Sequence, residues 1–196
     1  ARDDDNNFSL AQLLIVAGLG VASEDPNQAI EYLEEAADLS RERGFHHVFT
    51  WSTFELAAVY RDTGRLDEAE QLATHTNRVM RELEDRYHLP QHLTLLADLK
   101  AGKGEIEQAD QLYGEAADII EGLLVKVNQR QLKSSLIESL SDAYVGHFEL
   151  AATALSDPAK AYEMVERARG RVLAATHDRE RHRLSYISVR PRPATT

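Results

Sequence analysis

The chain has 196 residues, of which 43% are hydrophobic, so it is long and apolar enough to bury a core. Its formal net charge of -11 argues against general nucleic-acid binding, which draws its affinity from neutralised phosphates. No stretch approaches the roughly 18 consecutive apolar residues of a membrane span, and the absence of cysteine excludes disulfides, zinc–thiolate sites and a cysteine nucleophile. We therefore expect a soluble, cytoplasmic protein with no membrane partner.

Apolar residues recur at helical spacing along most of the chain, which predicts an all-α protein. Eight helices are predicted in four antiparallel hairpins: 8–22 with 26–43, 46–63 with 65–87, 90–102 with 105–128, and 132–156 with 158–176. We predict a disordered start at 1–7 and a helical domain at 8–176. Residues 177–196 are predicted to form a basic extended tail or interdomain linker, because Pro191 and Pro193 oppose a helix there.

The same helix opening occurs four times along the chain. Its shared alanines are Ala29, Ala69, Ala109 and Ala161, at spacings of 40, 40 and 52 residues. Small side chains on one face of a helix let a neighbouring helix approach closely. These alanines are therefore predicted to be buried where paired helices meet, and the longer last step predicts that the fourth hairpin departs from the regular array.

The second copy carries the fullest repeat pattern. Its shared positions are Leu56, Ala57, Tyr60, Gly64 and Ala69. The third copy keeps Gly104 but has Lys100 where the aromatic residue would stand. Gly64 and Gly104 suit the left-handed conformation that follows a helix end. The pattern resembles the tetratricopeptide repeat (TPR), and the resemblance implies an α-solenoid of about four antiparallel hairpins wound as a right-handed superhelix.

The last hairpin carries a more specific resemblance. Ala161-Tyr162-Glu163 and Glu166-Arg167-Ala168-Arg169 are similar to the end of the repeat array that precedes the caspase-like CHAT domain in bacterial proteins. If the resemblance holds, the catalytic His and Cys of the peptidase lie beyond Thr196, because this chain has no cysteine.

Histidines and glycines are the remaining candidates for chemistry. His88 and His92 have the spacing that can chelate a metal on a helix, but Pro90 between them favours a surface turn. His46-His47 is interpreted as a polar connection between hairpins, with ligand binding as the second interpretation. Gly102-Lys103-Gly104 lacks the longer pattern of a phosphate loop. We predict no metal site, no cofactor and no catalytic residue in this chain.

A repeat scaffold presents the first helix of each hairpin on a concave surface. The predicted binding residues there are Trp51, Phe54, Arg61, Gln91, Thr94 and Asp98. For Trp51 and Phe54, packing in the core is the alternative. The predicted function is therefore a non-catalytic scaffold that binds a protein or peptide. The alternatives are a sensor arm of a CHAT-type peptidase and the helical arm of a transcription regulator, and the tail 177–196 could also dock on a second copy.

Overall fold

The structure is a computed structural model, and it describes residues 2–126 and 130–170. These residues form eight α-helices and no strand. The first seven are α1 (Arg2–Val21), α2 (Pro26–Arg43), α3 (His46–Asp62), α4 (Leu66–Glu82), α5 (Leu89–Gly102), α6 (Ile106–Lys126) and α7 (Arg130–Thr153). The eighth, α8, covers 158–170, so the predicted residues 171–176 of this helix and the tail 177–196 lie outside the described residues. The predicted all-α fold is confirmed.

Short turns join the two helices of each hairpin, so neighbouring helices run antiparallel. The first helices of successive hairpins also touch one another, since α1 contacts α3, α3 contacts α5, and α5 contacts α7. The backbones of the second helices α2, α4 and α6 lie further apart, and α4 reaches α6 through long side chains, as where Arg81 binds Glu115 at 2.6 Å. The first helices therefore lie in one row, and we call the surface that they form the first-helix face.

Helix ends follow the predicted turn chemistry at several places. Asp25 caps α2, because its carboxylate accepts the backbone N–H of Gln28 at 3.1 Å. Gly64 and Gly104 have φ angles of 78° and 80°, which is the left-handed conformation predicted for them. Asp157 caps α8 through the backbone N–H of Lys160 at 3.0 Å. These caps satisfy backbone groups that the helix itself leaves unpaired.

The start of the chain differs from the prediction. Residues 2–7, predicted to be disordered, form the first turns of α1. Asp3, Asp4 and Asp5 lie in the first turn of this helix, where the positive end of the helix dipole favours negative charge. Asp4 also lies 3.7 Å from a guanidinium nitrogen of Arg43 at the end of α2. An acidic, polar start is thus compatible with a helix here.

The end of α4 also differs, because this helix stops at Glu82 and not at residue 87. Glu84 adopts a φ of 53°, and the N–H of Asp85 then bonds to the carbonyl of Met80 at 3.0 Å. This is the geometry that a glycine usually supplies at a helix end. A glutamate does not indicate a helix end, so the sequence analysis extended α4 past Glu84 to residue 87.

Small residues bring the helices together. Ala29, Ala69, Ala109 and Ala161 are all buried. Gly18 of α1 lies so close to α2 that a Cβ placed on it would stand 2.9 Å from Cγ of Leu33. Around these contacts, one continuous apolar cluster extends from α1 to α5 and includes Ile15, Leu33, Leu56, Ala69 and Leu99. No described helix is long and apolar enough to cross a membrane.

Polar bonds tie each hairpin to the preceding one. The hydroxyl of Tyr60 on α3 donates to Glu34 on α2 at 2.7 Å. At the equivalent position of α5, the ammonium of Lys100 binds Glu70 on α4. Tyr144 on α7 donates to Glu121 on α6. Lys100 therefore replaces the aromatic residue of the repeat while keeping the bond between hairpins.

Candidate binding face

Trp51 and Phe54 begin the candidate site on α3, where their spacing places them on one side of the helix. Trp51 is 37% exposed, and its indole N–H donates to Glu55 at 3.1 Å. Phe54 is half-buried against the main apolar cluster, with its ring centroid 4.9 Å from that of His92 on α5. Trp51 is thus available to a ligand, whereas Phe54 mainly packs α3 against α5.

Arg61 and Asp98 connect α3 to α5 further along the same face. A guanidinium nitrogen of Arg61 lies 3.7 Å from a carboxylate oxygen of Asp98. The hydroxyl of Tyr113 on α6 donates to the same carboxylate. Burial raises the pKa of Asp98, and the carboxylates of Asp142 and Glu149 raise it further. Since both of these residues lie on α7, negative charge extends across the face from α5 to α7.

The two other predicted binding residues differ in accessibility. Gln91 is exposed on α5. Thr94 is only 8% exposed, and its hydroxyl donates to the carbonyl of Pro90 in its own helix at 3.1 Å. Burial and this internal hydrogen bond leave Thr94 little to offer a ligand, so we remove it from the site.

Four further residues belong to the face and were missing from the sequence prediction. They are Glu55 on α3 and Asp142, Val145 and Glu149 on α7. Burial raises the pKa of Glu55, and this effect exceeds that of the hydrogen bond from Trp51, which lowers the pKa. Val145 is 56% exposed and lies between the two carboxylates on the same side of α7. The helical spacing of 142, 145 and 149 was a signal that could have found these three residues.

Of the two histidines that the sequence placed in a surface turn, His88 lies in the turn before α5 and His92 does not. Pro90 stands in the first turn of α5, where proline is tolerated because that N–H has no helical partner. His92 is therefore helical and only 3% exposed, and burial lowers its pKa to about 3. The predicted surface turn is wrong for His92.

His88 lies close to two other potential metal ligands. Among the described residues, His47, Asp85 and His88 form one group whose ligand atoms all lie within 4.8 Å of one another. Burial by itself raises the pKa of Asp85. The hydrogen bonds from the side chain and backbone of His88, together with the electrostatic interactions with His88 and His47, outweigh burial and hold this pKa below its ordinary value. This group lies at the end of the first-helix face where α3 and α5 begin.

Comparison with known proteins gives structural similarities alone. No protein-family model matches the chain, and no curated protein matches it. The chain is similar to the TPR-like repeats of a putative kinesin light chain from Podosopora anserina, at a TM-score of 0.44 and 18% identity over 88% of this chain and 97% of that chain. A single-substitution variant of those repeats gives 0.44 and 18% over 89% and 98%. BtubC (BKLC) from P. vanneervenii gives 0.35 and 16% over 98% and 96%.

Proposed function

We propose that this chain is a helical-repeat scaffold that binds a protein or peptide on its first-helix face. The observation that carries the proposal is the exposed Trp51 on a continuous row of helices, beside a band of carboxylates. Tryptophan is over-represented among the residues that contribute most to binding energy. Extended and helical peptides both dock on such rows of helices through a few anchor side chains.

The charge of the face indicates the chemistry of the partner. The part of the face described above carries one guanidinium, that of Arg61, and four carboxylates. The carboxylates are those of Glu55, Asp98, Asp142 and Glu149. A basic segment would relieve the repulsion between these carboxylates, because an opposite charge favours their ionised form. An apolar side chain of the same segment would cover Trp51. The proposed partner is therefore a basic segment that also carries apolar residues.

Trp51 itself provides the assay, because it is the only tryptophan in the chain. A displayed peptide library is selected on the immobilised protein, and tryptophan-free binders are titrated while Trp51 fluorescence is recorded. We expect the selected peptides to be enriched in Lys and Arg, to shift the emission of Trp51, and to bind more weakly as salt screens the charges.

Charge reversal locates the binding surface. Asp142→Lys and Glu149→Lys should each weaken binding of a selected peptide by about 1 kcal/mol, or about 30-fold for the double variant. Glu31→Lys is the matched control, since Glu31 is exposed on the second helix α2. Selected peptides without basic enrichment, or equal losses in the control and the face variants, would contradict the proposal.

A finer proposal assigns the chain to the sensor arm of a CHAT-type peptidase, and it rests on the motif within residues 161–169 alone. In the structure, Arg167 of that motif binds Asp118 and Glu121 on α6, at 2.7 and 2.9 Å. This contact holds α8 against α6, which any repeat array could use. The sequence that follows Thr196 in the parent gene tests the proposal, because a peptidase domain there must supply a His and a Cys. A DNA-binding domain in the parent chain would favour the transcription-regulator alternative instead.

Two further expectations accompany this function. We propose that the chain alone is non-catalytic, so the purified protein should hydrolyse no peptide. Self-association through the tail 177–196 concerns residues outside the described ranges. It is tested by comparing the molecular mass of the chain with that of a version ending at Ala175, by light scattering at low and high salt.

A further inference from the structure

Two histidines and one aspartate meet where α3 begins and where α4 is connected to α5. His47 lies in the first turn of α3, and Asp85 and His88 lie in the connection formed by residues 83–88. The three residues come from segments that are far apart in the sequence. Their meeting is a consequence of packing the second hairpin against the third.

The geometry centres on one carboxylate oxygen. Oδ2 of Asp85 lies 2.9 Å from Nδ1 of His88 and 3.7 Å from Nδ1 of His47. Ligand atoms around a tetrahedral zinc ion are about 3.3–3.6 Å apart, given zinc–ligand bonds of about 2.0–2.2 Å. The two separations bracket that value. The side chain of His47 is 79% exposed, so its ring can turn to complete the set.

We propose that His47, Asp85 and His88 bind a divalent transition-metal ion of the zinc class, with a fourth position left open to water. Imidazole nitrogen suits zinc and its neighbours in the transition series, and a carboxylate completes a common three-ligand set. When the ion is bound, Nδ1 of His88 coordinates it as a neutral imidazole with its proton on Nε2, and any further proton of the ring is released to the solvent.

The second oxygen of Asp85 supports this arrangement. Oδ1 accepts the backbone N–H of His88 at 3.2 Å, which holds the carboxylate plane while Oδ2 faces both imidazoles. Such an outer hydrogen bond orients a ligand toward its metal. The purely structural alternative is that Asp85 only caps the start of α5 and pairs with His88. That alternative needs no contribution from His47, and this difference is what the experiment uses.

A bound metal ion would strengthen the contact between the second and third hairpins. The ion would join the start of α3 to the connection that leads into α5, one helical turn from Trp51 on α3. A bound ion that does not bind the unfolded chain raises the melting temperature by mass action. This inference does not depend on the proposed peptide binding, and the two can fail separately.

The test is calorimetric titration of the protein, prepared without a histidine tag, with ZnCl2 at neutral pH. We expect one equivalent of Zn²⁺ to bind and to raise the melting temperature, and MgCl2 to do neither, because Mg²⁺ prefers oxygen ligands. His47→Ala should weaken zinc binding by at least about tenfold. His46→Ala removes the neighbouring exposed histidine and should leave the affinity unchanged.

His47→Ala is the decisive variant, because its exposed side chain contributes little to the fold, and circular dichroism checks that both variants stay helical. His88→Ala should lose zinc binding as well. The proposal is overturned if no saturable binding of one equivalent is seen, or if His47→Ala and His46→Ala bind zinc equally well.

Discussion

Gly146 of α7 lies against the ring of Tyr113 on α6. A Cβ placed on Gly146 would stand 2.5 Å from Cε1 and 2.7 Å from Cζ of that ring, well inside van der Waals contact. Tyr113 is buried, stacks on His147, and donates its hydroxyl to Asp98 of the first-helix face. The ring therefore cannot move away without losing contacts on both sides. Gly146→Ala should force such a movement.

The magnitude follows from three contributions. Alanine in a helix interior is more favourable than glycine by about 1 kcal/mol. Overpacking costs about 1–3 kcal/mol. Losing the hydrogen bond from Tyr113 to a charged carboxylate costs about 1.5–3 kcal/mol. The sum is a net loss of about 1.5–5 kcal/mol in the free energy of unfolding.

The matched control is Gly122→Ala on α6, since a Cβ on Gly122 meets nothing within 4 Å. That variant should gain about 1 kcal/mol from helix propensity alone. Urea unfolding followed by circular dichroism measures both variants against the parent protein. If Gly146→Ala is as stable as Gly122→Ala, the close approach of α7 to Tyr113 is refuted.

Three further predictions concern stability. Hydrogen bonds from Lys100 and Lys103 lower the pKa of Glu70. The ionised Glu70 therefore stabilises the folded protein at pH values above the ordinary pKa of glutamate, and this stabilisation is lost as the pH falls through the lowered pKa. Urea unfolding between neutral and acid pH should show a smaller loss for Glu70→Gln than for the parent, and equal losses would contradict this. Ala69→Leu and Ala109→Leu should each lose about 1–3 kcal/mol by overpacking, seen as lower melting temperatures, and unchanged melting would mean that the repeat register is wrong. Glu84→Gly should gain about 0.5–1 kcal/mol in the free energy of unfolding. Glycine adopts the left-handed conformation without strain, although it loses more chain entropy on folding. A lower stability of this variant in urea would contradict that reasoning.

Local patterns in the sequence were sufficient for the repeat architecture. The recurrent alanines and the glycines after helix ends predicted four hairpins, because both signals act within a few residues of the chain. The stop after α4 could not be found in this way. It depends on a glutamate, Glu84, in a conformation that glycine usually adopts. The start of α1 was missed because residues 2–7 contain no apolar side chain that could show helical spacing.

The candidate site was predictable only in part. Helical spacing placed Trp51, Phe54 and Arg61 on one face, since that requires nothing beyond the period of the helix. Spacing does not say which residues a neighbouring helix covers, so Thr94 was assigned to the surface although it is buried. The approach of His47 to Asp85 and His88 depends on how two hairpins pack, and no local spacing in the sequence indicates it.

The central claim is that the first-helix face, and not the row of second helices, receives the partner. A photo-crosslinking amino acid placed at Gln91, exposed on α5, tests it directly against the same substitution at Gln71, exposed on α4. With a selected basic peptide, we expect covalent capture at position 91 and little at position 71, with capture lost when unlabelled peptide competes. Efficient capture at position 71, or equal capture at both positions, would show that the partner does not bind the first-helix face.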